Sequence, residues 1–111
     1  MTRRIYIAGP MSGLADFNFP AFNDAARRLR DAGWEVDNPA EAFGGKTDVP
    51  YQMCVERDIK SLKQCSAIYM LRGWDAPNAR GSVWEHEIAR TLFKLDVHYE
   101  IGGFTPGPDT L

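Results

Sequence analysis

Two glutamates lie close to a histidine in the segment 81–90, GSVWEHEIAR, whose apolar residues recur at helical spacing. The predicted buried face of this helix consists of Ile88, Ala89 and Leu92. Glu85 falls on that face, whereas Glu87 points to the outer face. A carboxylate that faces a protein core is costly unless it is paired or used in chemistry. Glu85 is therefore a candidate catalytic residue, and Glu87 is predicted to be a surface residue.

A second carboxylate lies on the apolar side of the preceding helix, which is predicted to run from residue 51 to about Gln64. The apolar stripe of this helix consists of Tyr51, Cys54, Val55, Ile59 and Leu62. Asp58 falls inside that stripe, while the other charged residues lie elsewhere, as solvated charges do. Asp48 is predicted to cap the helix, with Pro50 in its first turn. Asp58 is therefore a second candidate.

Both carboxylates also have a structural interpretation. Ser82 and Glu85 have the spacing of a capping box, in which the glutamate only satisfies the backbone N–H of the serine. The structural interpretation of Asp58 is an ion pair with Arg57 or with an arginine of the first helix. Tyr6, in the first predicted strand, fits a core aromatic with a tethered hydroxyl. The residues alone leave these alternatives open.

The elements that must position these residues alternate between strand and helix. Strands are predicted at 3–9, 34–39, 66–74 and 96–101, and helices within 19–34, 51–64 and 77–95. Such alternation predicts an α/β domain with a doubly wound, mainly parallel sheet of four to five strands and helices on both faces, as in flavodoxin and Rossmann-like folds.

Ligands of such folds bind at the carboxyl ends of the strands. These ends are residues 8–13, 37–41 and 71–82, where polar, glycine and tryptophan residues collect. The predicted ligand-binding residues are Gly9, Pro10, Met11, Ser12, Asn38, Trp74, Arg80, Gly81 and Ser82.

The composition narrows the class of protein. The 111 residues predict one domain at 1–100, followed by a Gly- and Pro-rich tail at 101–111. The net charge of −2 and the lack of a basic stripe argue against nucleic acid as a partner. No apolar run has the length of a signal peptide core or a membrane span. Cys54 and Cys65 lack metal-ligand spacing and indicate reduced thiols in a cytoplasm.

Two near-matches to known motifs fail. The segment 40–47, AEAFGGKT, has the lysine of a phosphate-binding P-loop, but Ala40 stands where the first glycine belongs and Glu41 brings a negative charge. In HEIAR, Arg90 stands where a zinc motif needs its second histidine. We therefore predict no metal and no cofactor.

Four segments together resemble the nucleoside 2-deoxyribosyltransferase-like superfamily. They are IYIAGPMSG near the N-terminus, RDIKSL on the second helix, AIYMLRGW on the third strand and GSVWEHEIA on the third helix. The resemblance covers roughly residues 3 to 98, and its nearest branch is a group of small, uncharacterised phage and bacterial proteins. The superfamily includes deoxyribosyltransferases and nucleoside 5'-monophosphate N-glycosidases.

The resemblance implies that Glu85 is a nucleophile, that Asp58 assists the departing base and that Tyr6 orients Glu85. The implied reaction is cleavage of the N-glycosidic bond of a nucleoside or nucleotide through a covalent glycosyl-enzyme, by hydrolysis or base transfer. The alternative is a nucleotide-binding module without turnover. Ser66 and Ala79 depart from the family pattern, because an aspartate and a serine often stand there, and these departures leave the substrate open.

Two further expectations concern partners. Arg72 and Arg80 flank the loop before the third helix and favour a nucleoside 5'-monophosphate over a free nucleoside. Family sites are completed by a neighbouring subunit, and Trp84 and Phe93 are candidates for uncovered apolar surface. We therefore predict a homodimer.

Overall fold

The computed structural model describes residues 3–45 and 50–109. Its elements are β1 (Arg4–Ala8), α1 (Phe19–Asp31), β2 (Glu35–Asp37), α2 (Tyr51–Gln64), β3 (Ala67–Met70), α3 (Arg80–Thr91) and β4 (Asp96–Tyr99), with two 3-10 helices at Ala15–Asn18 and Pro39–Gly45. The predicted alternation of strand and helix is confirmed. The predicted cap Asp48 and the Lys46-Thr47 pair of the rejected P-loop lie outside the described residues.

The four strands form one parallel sheet in the order β2-β1-β3-β4. Residues of the strands alternate between the two faces, so each face has its own core. On the α1 face the buried core includes Ile5, Ile7, Phe22, Ala25, Ala26, Leu29, Trp34, Ala67, Tyr69 and Leu71. On the face covered by α2 and α3 it includes Tyr6, Ala8, Leu62, Cys65, Ile68, Met70 and Ala89. The doubly wound α/β fold is confirmed.

The two helices that carry the candidate carboxylates differ from prediction at their ends. Before α2, the residues that follow the predicted second strand form the 3-10 helix Pro39–Gly45. Pro50 stands at the N-cap of α2 and not in its first turn. On α3, Leu92 is 66% exposed, so its placement on the buried face is wrong. Leu92 is the C-cap residue of α3, just beyond its last residue. Phe93 instead packs against the core of the α2 and α3 face.

The chain after β4 packs against the α1 side of the domain. The indole Nε1 of Trp34 donates a 2.8 Å hydrogen bond to the carbonyl oxygen of Pro106. The side chain of Pro106 is fully buried. Arg28 of α1 donates to the Thr105 hydroxyl at 3.1 Å and forms an ion pair with Glu100 at 3.0 Å. The described part of the predicted tail is thus held to the domain by polar and apolar contacts. Within the described ranges, no helix is long and apolar enough to span a membrane.

Candidate active site

A cavity of about 210 Å³ opens at the carboxyl ends of β1 and β3. It is bounded by the loop after β1, the start of α3 and one side of α2. Its lining residues are Tyr6, Gly9, Pro10, Met11, Ser12, Phe22, Pro39, Cys54, Asp58, Asn78, Ala79, Gly81, Ser82 and Glu85. The fold therefore brings Tyr6, Asp58 and Glu85 together in one cavity wall.

Tyr6 and Glu85 form the buried centre of this wall. Tyr6 is fully buried in β1, and Glu85 is 7% exposed on α3. The Tyr6 hydroxyl donates a hydrogen bond to Oε2 of Glu85. This bond joins a strand to a helix that begins 74 residues later, and it fixes the direction in which the carboxylate points.

Burial raises the pKa of Glu85 well above its ordinary value. The neighbouring Asp58 carboxyl group raises it further, while the Tyr6 bond and Arg57 act in the opposite direction. Burial and the charge of Glu85 likewise raise the pKa of Tyr6, so its hydroxyl remains a donor. The negative charge of Asp58 thus opposes the ionisation of Glu85.

Arg57 joins the carboxyl pair to β2. Its guanidinium donates one hydrogen bond to Asp37 and approaches Oδ1 of Asp58 at 3.4 Å. The predicted structural alternative for Asp58, an ion pair with Arg57, is therefore present. The pair does not remove Asp58 from the cavity, because Asp58 also lines it.

The capping-box interpretation of Glu85 is wrong. The N-cap of α3 is Ala79, so Ser82 lies inside the first turn. The Ser82 hydroxyl bonds the carbonyl oxygens of Trp74 at 2.6 Å and Ala79 at 3.1 Å. Glu85 instead meets Tyr6 at the cavity.

Three predicted ligand-binding residues do not line the cavity. Asn38 is buried, accepts the backbone N–H of Ala40 at 3.0 Å and donates to Asn23, so it shapes the start of the second 3-10 helix. The Trp74 ring stacks on His86, with ring centroids 4.3 Å apart. Arg80 is exposed and lines a separate depression together with Asp75, Pro77, Val83, Trp84 and Glu87. A side chain five residues before Glu85 points about 140° away from it on a helix.

Five residues that line the cavity are not among those that the sequence predicts for the site, namely Phe22, Pro39, Cys54, Asn78 and Ala79. Asn78 and Ala79 lie within the segment 71–82 at which ligand binding is predicted. Pro39 follows the carboxyl end of β2, and Cys54 precedes Asp58 by one helical turn, so both positions carried a signal. Phe22 carried none, because its position on α1 is also that of a core residue.

No three His, Cys, Asp or Glu side chains of the described segments gather closely enough to hold a metal ion. The chemistry available here is that of a carboxyl pair in a half-enclosed, largely apolar cavity. One carboxyl group is positioned by a phenol, and the other lies beside a guanidinium. Such an arrangement supports nucleophilic attack assisted by proton transfer.

The fold and this site are those of a small α/β protein with a carboxyl pair at the carboxyl ends of its parallel strands. The chain belongs to the family described as domain of unknown function DUF4406, whose model matches residues 3–99. No curated protein matches it.

Two solved structures share the fold. The 2-deoxyribosyltransferase of the psychrotolerant bacterium Bacillus psychrosaccharolyticus aligns with 93% of this chain and 77% of its own, at a TM-score of 0.68 and 20% identity. The CMP N-glycosidase BcmB of Clostridium botulinum aligns with 92% of this chain and 91% of its own, at a TM-score of 0.51 and 18% identity. These likenesses agree with the fold that the sequence resemblance implies. Membership of a phage branch stays a prediction.

Proposed function

We propose that the protein cleaves the N-glycosidic bond of a nucleoside or nucleoside 5'-monophosphate through a covalent glycosyl-enzyme. The observation that carries the proposal is the buried Glu85 carboxylate, held by Tyr6 and paired with Asp58 at the wall of a cavity. The two fold neighbours are a 2-deoxyribosyltransferase and a CMP N-glycosidase, whose names agree with this reaction class.

In the first step Glu85 attacks C1' of the sugar while the bond between C1' and the base nitrogen breaks. The transition state has oxocarbenium character, which a nearby carboxylate stabilises. The base leaves with the bonding electron pair and receives a proton from Asp58. The proposed step therefore requires Glu85 to be ionised and Asp58 to carry a proton when the substrate is bound.

In the second step the glycosyl-Glu85 ester is resolved by water, which gives a free sugar, or by another base, which gives a new nucleoside. Asp58, now ionised, accepts a proton from the attacking group. Tyr6 touches the nucleophile and holds Oε2 of Glu85, so that the other oxygen is the one available to the sugar.

The charge of the cavity favours an uncharged ligand. Among the described residues that line it, the ionisable carboxyl groups are Asp58 and Glu85, and none of the lining residues is Lys or Arg. Arg80, on which the preference for a monophosphate depends, lies at the other depression. The backbone N–H groups at the start of α3 are the remaining anchor for a phosphate. We therefore favour the free nucleoside.

The test is incubation with a panel of nucleosides and their 5'-monophosphates, with released base measured by chromatography. Glu85→Gln is expected to abolish release, and Glu87→Gln on the exposed face of the same helix serves as the matched control. Intact mass measured after acid quenching should show wild-type protein heavier by one glycosyl group. Binding of a nucleoside without release by the wild type would instead indicate a nucleotide-binding module.

We also propose that the protein forms a homodimer. Val83 is 40% exposed beside the half-buried Trp84 on α3, which leaves apolar surface next to the start of the helix that carries Glu85. Phe93 does not contribute, because it packs into the core. Light scattering at micromolar concentration tests this, and a monomer would contradict it.

A further inference from the structure

We propose that Asp37 and Arg57 are positioning residues for the carboxyl pair, with Asp37 holding the Arg57 guanidinium against Asp58. Neither residue lines the cavity, so their effect on a ligand passes through Asp58 and Glu85. The inference rests on the proposed function for its catalytic meaning.

The geometry starts from the sheet register. Asp37 of β2 is paired with Tyr6 of β1, and side chains paired in parallel strands point to the same face. Asp37 therefore lies on the face that carries Tyr6 and is covered by α2. Its side chain is only 10% exposed, so its charge needs a partner.

Arg57 provides that partner and reaches further. Successive residues of a helix point about 100° apart, so Arg57 does not face its neighbour Asp58 by default. Its bond to Asp37 turns the guanidinium toward the sheet, and the second nitrogen then lies 3.4 Å from Asp58. One cation thus lies between a carboxylate outside the cavity and one inside it.

Titratable groups from several elements lie around Asp58 and Arg57. They are Tyr6 of β1, Asp37 of β2, Cys54 and Arg57 of α2, and Glu85 of α3, with Glu41 of the second 3-10 helix also within reach of Arg57. Arg57 lowers the pKa of Glu85 against the effects of burial and of Asp58. Its positive charge thus favours the ionised form of Glu85, which the proposed attack requires.

The experiment compares Arg57→Gln and Asp37→Asn with Arg90→Gln, which removes an exposed ion pair with Glu87 at 3.1 Å on α3. The titration of Glu85 is followed by carboxyl-carbon NMR in glutamate-labelled protein, with Glu85→Gln used to assign the signal. Glu85 should titrate at higher pH in Arg57→Gln and, to a smaller extent, in Asp37→Asn. Arg90→Gln should not change it. An unchanged titration in Arg57→Gln overturns the inference.

Arg57→Gln leaves Asp37 buried without its cation and is expected to lose stability. The double variant Asp37→Asn/Arg57→Gln removes both charges, so it should regain stability while its Glu85 titration stays displaced to higher pH. A double variant that titrates like the wild type would show that the pair acts only on stability, and would overturn the positioning role.

Activity gives a separate measurement. In Arg57→Gln, kcat at mildly acidic pH should fall about tenfold, with the acidic limb of the pH profile moved to higher pH and KM unchanged. A loss confined to KM would make Arg57 a substrate-binding residue and overturn the proposal. If the wild type releases no base from any nucleoside, the proposed function fails, and the NMR titration still decides the role of Arg57.

Discussion

The Tyr6 hydroxyl donates a hydrogen bond to the Glu85 carboxylate, and both groups are buried where β1 meets α3. Each group changes the other, since the bond lowers the pKa of Glu85 while the charge of Glu85 raises the pKa of Tyr6. Tyr6 thus favours the ionised form of Glu85, whereas burial and Asp58 favour its protonated form.

Tyr6→Phe should reduce activity without unfolding the protein. Phenylalanine keeps the buried ring but removes the donor, and a hydrogen bond to a charged group contributes about 1.5–3 kcal/mol. We expect kcat/KM to fall roughly 10- to 100-fold and the Glu85 titration to move to higher pH. Steady-state kinetics and carboxyl NMR measure both effects. Unchanged kinetics in a folded variant would remove Tyr6 from the mechanism.

Glu85→Gln should abolish base release, roughly 1,000-fold or more, and also stabilise the protein at higher pH. The pKa of Glu85 is higher in the folded protein than in the unfolded chain. As pH rises through the ordinary glutamate range, the Glu85 carboxyl group therefore ionises in the unfolded chain while it stays protonated in the folded protein. The wild-type fold therefore loses stability between that range and the folded-state pKa, whereas the glutamine variant does not. At about pH 4 the wild type and Glu85→Gln should have similar free energies of unfolding, and at about pH 8 that of Glu85→Gln should be higher. Glu87→Gln, exposed on the same helix, should show neither effect.

Asp58→Asn should lower kcat more than it raises KM. The amide keeps the shape of the side chain but is no proton donor for a leaving base. We expect a loss of about 10²- to 10⁴-fold in kcat, and the smallest loss for substrates whose base leaves easily without protonation. Kinetics with a series of bases of different leaving ability checks this. A variant that is only less stable, with normal turnover, would leave Asp58 as the ion-pair partner of Arg57.

Arg80→Ala should leave ligand binding unchanged. Arg80 lines the depression beside Trp84, on the opposite side of α3 from Glu85. We expect a nucleoside 5'-monophosphate to bind no more tightly than its nucleoside, because Asp58 and Glu85 give the cavity a negative charge. Isothermal titration at two salt concentrations measures this. Tighter, salt-sensitive binding of the monophosphate that is lost in Arg80→Ala would reverse the assignment.

Trp34→Phe should destabilise the domain by about 1 kcal/mol or more without affecting the cavity. The substitution removes the hydrogen bond to the Pro106 carbonyl and leaves this buried acceptor unpaired. Denaturant unfolding measures the loss. If Trp34→Phe unfolds at the same denaturant concentration as the wild type, the segment after β4 contributes little to stability.

The sequence by itself determined the architecture and the two carboxylates. Alternating strand and helix patterns require a parallel sheet, and helical periodicity places Asp58 and Glu85 on inward faces. The same periodicity gives the direction of Arg80, which lies about 140° from Glu85 around α3. The sequence therefore allows this placement once the helix is known to begin at Arg80, three residues beyond the start of the predicted range.

Only the tertiary structure decided which side chains meet. Tyr6 is 79 residues from Glu85, and Arg57 is 20 residues from Asp37, so no local pattern encodes either contact. Sheet register and helix docking bring these groups together, and both depend on how two cores pack at once. The docking of the chain after β4 likewise follows from the acceptor that Pro106 offers to a buried indole, which Gly- and Pro-rich composition does not reveal.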